Sequence, residues 1–344
     1  MASSSQLSQP PGPSESSKPA AKLNRTNKFT IREIIEDELE KVSWIASKAF
    51  LDDRVGNFIW GFEKSPTTRS TPDGMKVYSF YAFVIKSCFY LGRVVVATVP
   101  SSSLPSSSSS PMAKRSTTPP PGSGSRASEE DGEKEEIIAA VACWLPPGKR
   151  INIWNLPMMI KCGVLKVSRR TGVGEFNVSE RIVLQFMDQV DKTHKGAFRD
   201  RAKKSSASLD TGVGGSNTAS TGSKASTSVK PVKSNDAWYL LMVMTVKEFE
   251  GQGCLSLLMR EGYANAAKIA GSGGSVPPFI LESSSSRSRD RYMHLGYEIE
   301  DQPPTIAGVG KVDSDGLRAS KEARRNGKAP GVEYWCMVNW NPKV

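Results

Sequence analysis

The chain lacks any run of 18 apolar residues, so no segment of it reads as a membrane-spanning helix. Histidine is scarce: His194 and His294 are the only two. The five cysteines, Cys88, Cys143, Cys162, Cys254 and Cys336, include no pair at metal-ligand spacing, and with two histidines they argue against a zinc site; no metal is expected. Their odd number excludes a fully paired disulfide framework and fits reduced thiols in an intracellular compartment. No apolar stretch marks the first residues, so a secretory signal is not expected either. Acidic residues are outnumbered, 35 against 46 Lys and Arg, which leaves a net charge of +11. That excess invites a nucleic-acid reading, but its distribution does not support one. Between Lys161 and Lys233 there are fourteen Lys and Arg against six Asp and Glu. The densest run, Arg199-Asp200-Arg201-Ala202-Lys203-Lys204, has no interleaved aromatic residue on which bases could stack. A solvated linker explains the run; nuclear import or an anionic surface is the alternative. Cytoplasmic localisation is expected, with the nucleus as the alternative.

Three stretches of the 344 residues cannot build a core. Residues 1–27, about 101–134 and about 203–234 are Ser, Pro, Gly, Thr and Lys with almost no large apolar side chain. They cannot bury enough surface to offset chain entropy and read as a disordered tail and two disordered inserts. The rest, within 28–344, reads as one α/β domain. Phe29–Ile34 alternates as a strand, and Asp37 with Glu40 forms an acidic capping box ahead of a helix whose face is Leu39, Val42, Ile45, Ala46, Ala49 and Phe50. Val55–Phe62, Tyr78–Leu91, Trp154–Val167 and Val178–Val190 read as helical, with Gly92 as a C-terminal cap for the second. Arg93–Val99 and Ile137–Leu145 read as strands pairing across the first insert. Strands are also predicted at Trp238–Val246, Pro278–Glu282, Tyr297–Glu300 and Val332–Val338, a short helix at Arg287–Leu295, and a long polar loop over Asp301–Pro330.

The chemistry concentrates after Trp238. A strongly apolar strand ends at Thr245, a polar turn follows, and Glu250-Gly251-Gln252-Gly253-Cys254-Leu255 leads into helical spacing through Leu258, Met259, Gly262, Ala266 and Ile269. Strand, glycine turn and helix in that order offer backbone amides and a positive helix end to a pyrophosphate. Further on, Phe279-Ile280-Leu281-Glu282 precedes Tyr292-Met293-His294-Leu295-Gly296-Tyr297. These two blocks resemble the core motifs of the GNAT superfamily of acetyl-CoA-dependent N-acetyltransferases. The first is similar to its Gln/Arg-x-x-Gly-x-Gly/Ala turn, and the second to its strand, helix and Tyr-x-x-Leu-Gly-Phe/Tyr ending. The opening Ile-Arg strand and Ala142-Cys143-Trp144-Leu145-Pro146-Pro147-Gly148 add to the likeness. It is greatest to divergent fungal members with low-complexity insertions. Two positions depart from the pattern: Glu250 stands where Gln or Arg is usual, and Leu255 where Gly or Ala is preferred.

The resemblance implies a mixed, mostly antiparallel sheet, splayed in the middle and flanked by helices. It implies acetyl-CoA as co-substrate and direct acetyl transfer to an amine, a small molecule rather than a protein. The cofactor-binding residues it implies are Met244, Thr245 and Val246 along the splayed strand, Gly251, Gln252, Gly253, Cys254, Leu255 and Ser256 at the turn, and Ser288. Tyr292 is the implied proton donor to the departing sulfur, and Glu282 the first candidate base, with Glu248 behind it. Cys254 reads as packing rather than nucleophile, His294 as peripheral, and Trp144, Tyr239 and Trp335 as core or cleft-wall aromatics. The acceptor pocket is expected to draw on the first sixty residues, where Asp52 and Asp53 could attract a cation, and on Asp301–Pro330. Two alternatives stay open: a degenerate acyl-CoA-binding or scaffolding module, and a protein-lysine acetyltransferase that uses the basic insert for contact.

Overall fold

A computed structural model of the chain describes residues 28–101, 136–152, 154–171, 173–210, 231–300 and 303–343. The tail and most of both inserts expected from composition lie outside the described residues.

The elements follow in the order β1 (Thr30–Glu33), α1 (Leu39–Ala49), α2 (Arg54–Trp60), α3 (Pro72–Leu91), β2 (Arg93–Pro100), β3 (Glu136–Leu145), α4 (Leu156–Cys162), α5 (Val164–Thr171), α6 (Val173–Asp210), β4 (Trp238–Thr245), α7 (Cys254–Ala270), β5 (Phe279–Ser283), α8 (Ser286–His294), β6 (Glu298–Ile299), β7 (Thr305–Ala307), α9 (Lys321–Arg325) and β8 (Val332–Asn339). The sheet order is β1-β2-β3-β4-β5-β8-β6, with β7 pairing β8 at its other end. Only β4 and β5 run parallel; every other pairing between these strands is antiparallel. The hairpin of β2 and β3 across the first insert is present as expected.

Alternation along the central strands assigns side chains to two cores. Val141, Cys143 and Leu145 of β3 face one side, with α1 and α3; Ala140, Ala142 and Trp144 face the other, with α7. Helices on both faces explain why these strands read as continuous apolar runs. Gly262 lets α7 lie on Trp144: a Cβ there would come within 2.7 Å of the indole.

Several expectations are corrected. The expected pair Asp37 and Glu40 does not cap the first helix: Glu38 Oε2 accepts the Ile35 N–H at 3.1 Å across the 3-10 turn Glu36–Glu38, and no side chain caps α1 itself. Helix α3 starts earlier, because Thr71 caps it and Pro72 fits its first turn, where no donor is needed. Gly92 stands at the C-terminal cap as expected, its N–H on the Cys88 carbonyl at 2.8 Å, with a φ of −148° that is not left-handed. It is small because a Cβ would meet the Trp144 carbonyl at 2.1 Å. Helix α6 runs on to Asp210, into the segment read as the second insert. The stretch Asp301–Pro330 is not simply a loop: it carries β7, α9 and a bridge between Val312 and Arg318.

Candidate active site

The parallel ladder of β4 and β5 closes only at Trp238 with Phe279 and Tyr239 with Ile280. Beyond that point the strands diverge, although β4 continues to Thr245 and β5 to Ser283. On its other edge β4 stays paired with β3, with a register shift between Cys143 and Trp144 that leaves Leu241 as the extra residue. The bulge therefore sits where the strands part, and not beside Met244–Val246. The Val246 N–H donates to the Ala139 carbonyl at 2.8 Å. Antiparallel alternation then directs the backbone groups of Met244 to β3 as well, and those of Thr245 to the open side. Of the three strand residues named from the sequence, Thr245 is the one with backbone groups free for an added strand-like ligand.

At the head of α7, Gly251 (φ 74°) and Gly253 (φ 90°) take left-handed conformations that side chains disfavour. No side chain caps this helix. The first amide bond returning to the turn is Leu257 N–H to the Gly253 carbonyl, at 3.1 Å. The N–H groups of Leu255 and Ser256 thus find no acceptor among the described residues, that of Cys254 meets only its own sulfur, and together they present a positive helix end. Gln252 turns its amide to the Glu248 carbonyl (2.9 Å). Glu250 is drawn to Arg287 on α8 (2.9 Å), which balances its charge. Leu255 packs half-buried against the α7-side core. Both departures from the glycine-turn pattern therefore leave the three amides unobstructed by an unpaired carboxylate. Cys254 is buried, and burial pushes its thiol up to about 11, against the lowering a helix N-terminus gives. It is a packed thiol.

Between the diverging strands lies a cavity of about 240 Å³. Its walls include Phe50, Tyr81, Tyr239, Glu282, Ser288 and Tyr292, with Asp53 and Ser284 to one side. Glu282 projects from β5 and is gripped from two elements. Its Oε2 accepts the Tyr239 hydroxyl of β4 at 2.6 Å, and its Oε1 meets Nε2 of His194 from α6. The pair is nearly dry, the side chains being 7% exposed for His194 and 15% for Glu282. Desolvation, and then the Glu282 charge, hold the Tyr239 phenol well above its ordinary range, so it stays a donor. Arg150 lies 5.3 Å from the Tyr239 ring and donates to the Ser234 and Ala237 carbonyls, tying down the start of β4. Tyr292 is buried in the same cavity, and desolvation raises its phenol as well. Ser288 bonds the Ser285 hydroxyl that caps α8 (2.9 Å) while lining the cavity.

One candidate falls outside, and His294 is peripheral as expected. Glu248 is exposed on a 3-10 turn and does not line the cavity. His294 is exposed, its Nδ1 on the Asp290 carbonyl at 2.6 Å. The stretch 301–330 supports the pocket rather than lining it: Asn57 of α2 donates to the Asp315 carbonyl at 3.0 Å, and Gly316 packs where a Cβ would strike the Arg54 carbonyl. Helix α6 supplies wall and His194 instead. The spacing Val190, His194, Ala197, Phe198 on one helical face could have found it; all four are buried. Among the described residues no cluster of His, Cys, Asp and Glu could hold a metal ion. No helix among them is long and apolar enough to cross a membrane.

No family model and no curated protein matches the sequence. Solved structures to which it is similar include acetyltransferases. A structure described as histone acetyltransferase HPA2 and related acetyltransferase, from Corynebacterium glutamicum, is 15% identical with a TM-score of 0.38, covering 92% of this chain and 98% of that one. Arylalkylamine N-acetyltransferase 2 from Aedes aegypti is 11% identical with a TM-score of 0.43, covering 91% and 99%. An apo agmatine N-acetyltransferase mutant is 11% identical with a TM-score of 0.40, covering 90% and 98%. At these values none of them assigns a reaction to this chain. The mixed, mostly antiparallel sheet with its splayed middle is the fold that the resemblance to the GNAT superfamily implies.

Proposed function

We propose that this protein is an N-acetyltransferase that moves an acetyl group from acetyl-CoA directly to the amine of a small molecule. One observation carries the proposal: the β4–β5 ladder breaks after Tyr239 and Ile280, and the gap opens onto a cavity lined by Glu282 and Tyr292, with His194 bonded to Glu282. The residues that would hold the co-substrate are Thr245 on the open strand edge, the amides of Cys254, Leu255 and Ser256 beyond Gly251 and Gly253, and Ser288. Acetyl-CoA supplies the activated acyl group as a thioester.

The chain's own residues then have separate tasks. An ammonium is not a nucleophile, so a proton must leave it before the N–C bond can form. Glu282 takes that proton, held in place by the Tyr239 hydroxyl and by His194, which stabilises the charge or passes the proton on. As the C–S bond breaks, the Tyr292 phenol, kept protonated by burial, gives a proton to the departing sulfur, and the second proton shed by the acylated nitrogen restores the phenol. The apolar walls exclude water, which strengthens each of these interactions and limits hydrolysis. Cys254 takes no part, because its buried thiol is protonated at neutral pH. The pairing of Glu250 with Arg287 weakens the case for a degenerate binding module.

The test is thiol release from acetyl-CoA across a panel of primary amines, with Tyr292→Phe alongside. The proposal expects amine-dependent release, and a fall of about tenfold or more in the variant. An unchanged rate in Tyr292→Phe removes the phenol as acid. No release with any amine, under conditions where acetyl-CoA binds, leaves a binding module.

A further inference from the structure

Asp53 is the cavity residue that acyl transfer leaves unused. It stands at the start of α2, where Oδ1 accepts the Gly56 N–H at 2.7 Å and Oδ2 accepts the Ser284 hydroxyl at 2.9 Å. The Val55 N–H also donates to it, and all three donors are neutral. Among the described residues no Lys, Arg or His makes an ion pair with this carboxylate, and the neighbouring Asp52 is of like sign. Desolvation raises its carboxyl above the ordinary range, and its own charge helps raise the phenol of Tyr81. The surrounding walls are aromatic. Phe50 and Tyr81 stack at 4.6 Å, and Phe80 meets Tyr81 edge-on at 5.3 Å. A half-buried carboxylate without a counter-charge, in a cavity walled partly by aromatic rings, is a good place for a ligand cation.

Glu282 and Ser284 lie two residues apart at the end of β5, roughly 7 Å along extended chain. The two carboxylates thus open onto one cavity at that order of separation, in opposite company. Glu282 has an imidazole and a phenol through which a proton can be handled; Asp53 has a hydroxyl and the backbone amides of Val55 and Gly56. The first site suits a nitrogen that must lose a proton, and the second a nitrogen that keeps its charge.

Building on the acyl-transfer reading, we propose that the acceptor is a compact dication, a short α,ω-diamine or an amine bearing a second charged nitrogen. Asp53 and its aromatic walls hold the spectator charge, and the reacting amine lies at Glu282. A monoamine of equal length leaves Asp53 uncompensated and pulls an alkyl end towards a carboxylate, so it binds less well.

The experiment compares 1,4-diaminobutane with 1-aminobutane, on wild type and Asp53→Asn. Asparagine caps a helix as well as aspartate and keeps its shape, so the variant isolates the charge; Asp53→Ser, another good cap, is the control should Asn perturb the fold. Binding is measured by calorimetry with the acetyl-CoA complex, and turnover by thiol release. The proposal expects the diamine to bind at least about tenfold more tightly than the monoamine in wild type, an advantage lost in Asp53→Asn while the monoamine changes by less than about twofold. Equal binding of the two amines, or an equal loss for both in the variant, overturns it. Asp53-dependent diamine binding without thiol release keeps this inference and sinks the enzyme reading. Thiol release that favours monoamines keeps the enzyme reading and sinks this inference.

Discussion

Glu282→Gln removes a charge and a proton acceptor while keeping the shape of the side chain. Glutamine offers one carbonyl oxygen where the carboxylate offers two, and two donors converge on it, Tyr239 at 2.6 Å and His194. One of them must lose its acceptor unless His194 turns its bare nitrogen to the new amide. The site is nearly dry, so a lost charge-assisted bond costs about 1.5–3 kcal/mol. For a domain of this size that lowers Tm by roughly 3–10 °C. The catalytic effect is larger. A positioned base is worth about 10²–10⁴ in rate, so kcat/KM in the thiol-release assay is expected to fall at least about a hundredfold. A cycle with His194→Asn tests whether the two residues act as one unit. If they do, the double variant loses little more than Glu282→Gln alone, because the second change removes a partner with nothing left to support. A Glu282→Gln protein that folds and turns over within about threefold of wild type would refute the reasoning. Fully additive losses would refute the coupling.

Two further outcomes follow from packing. Cys254→Ala is expected to keep thiol release within about twofold, which separates a packed thiol from a nucleophile. The thiol stands at about 11 when folded, against 9 when free, so the unfolded chain loses this proton first as pH rises. The stability it contributes is present below pH 9 and fades towards pH 11, and denaturant melts over that window should show a shallower decline in Cys254→Ala. Gly262→Ala places a methyl 2.7 Å from the Trp144 ring and should cost about 1–3 kcal/mol in a thermal melt, a loss that Trp144→Phe partly relieves.

What could be read from the residues depended on how local the signal was. The glycine turn was legible because left-handed backbone selects glycine and the motif is contiguous, Gly251 to Gly253. The β2–β3 hairpin was legible through its insert because β-branched residues mark both strands. His194 was missed because α6 runs into a basic stretch whose composition reads as linker. Its apolar stripe through Val190, Ala197 and Phe198 outweighs the charge around it. The polar stretch 301–330 was misread for a related reason. Its order comes from backbone contacts, such as the Arg318 N–H on the Phe62 carbonyl at 2.7 Å, which hydropathy does not register. The site of the bulge was not legible at all. Leu241 sits in an unbroken apolar run, and only pairing with β3 singles it out.

The central claim is that the amides opening α7 bind the diphosphate of acetyl-CoA beside the parted strands. Ser256→Glu tests it most directly, because the substitution pulls stability and binding in opposite directions. A carboxylate in the first helical turn favours the helix, so Tm should hold or rise. The same charge beside a diphosphate costs about 1–3 kcal/mol, so calorimetry should show acetyl-CoA bound by wild type and bound at least about tenfold more weakly by the variant. Equal affinity in the two proteins, or no binding by wild type, would contradict the account.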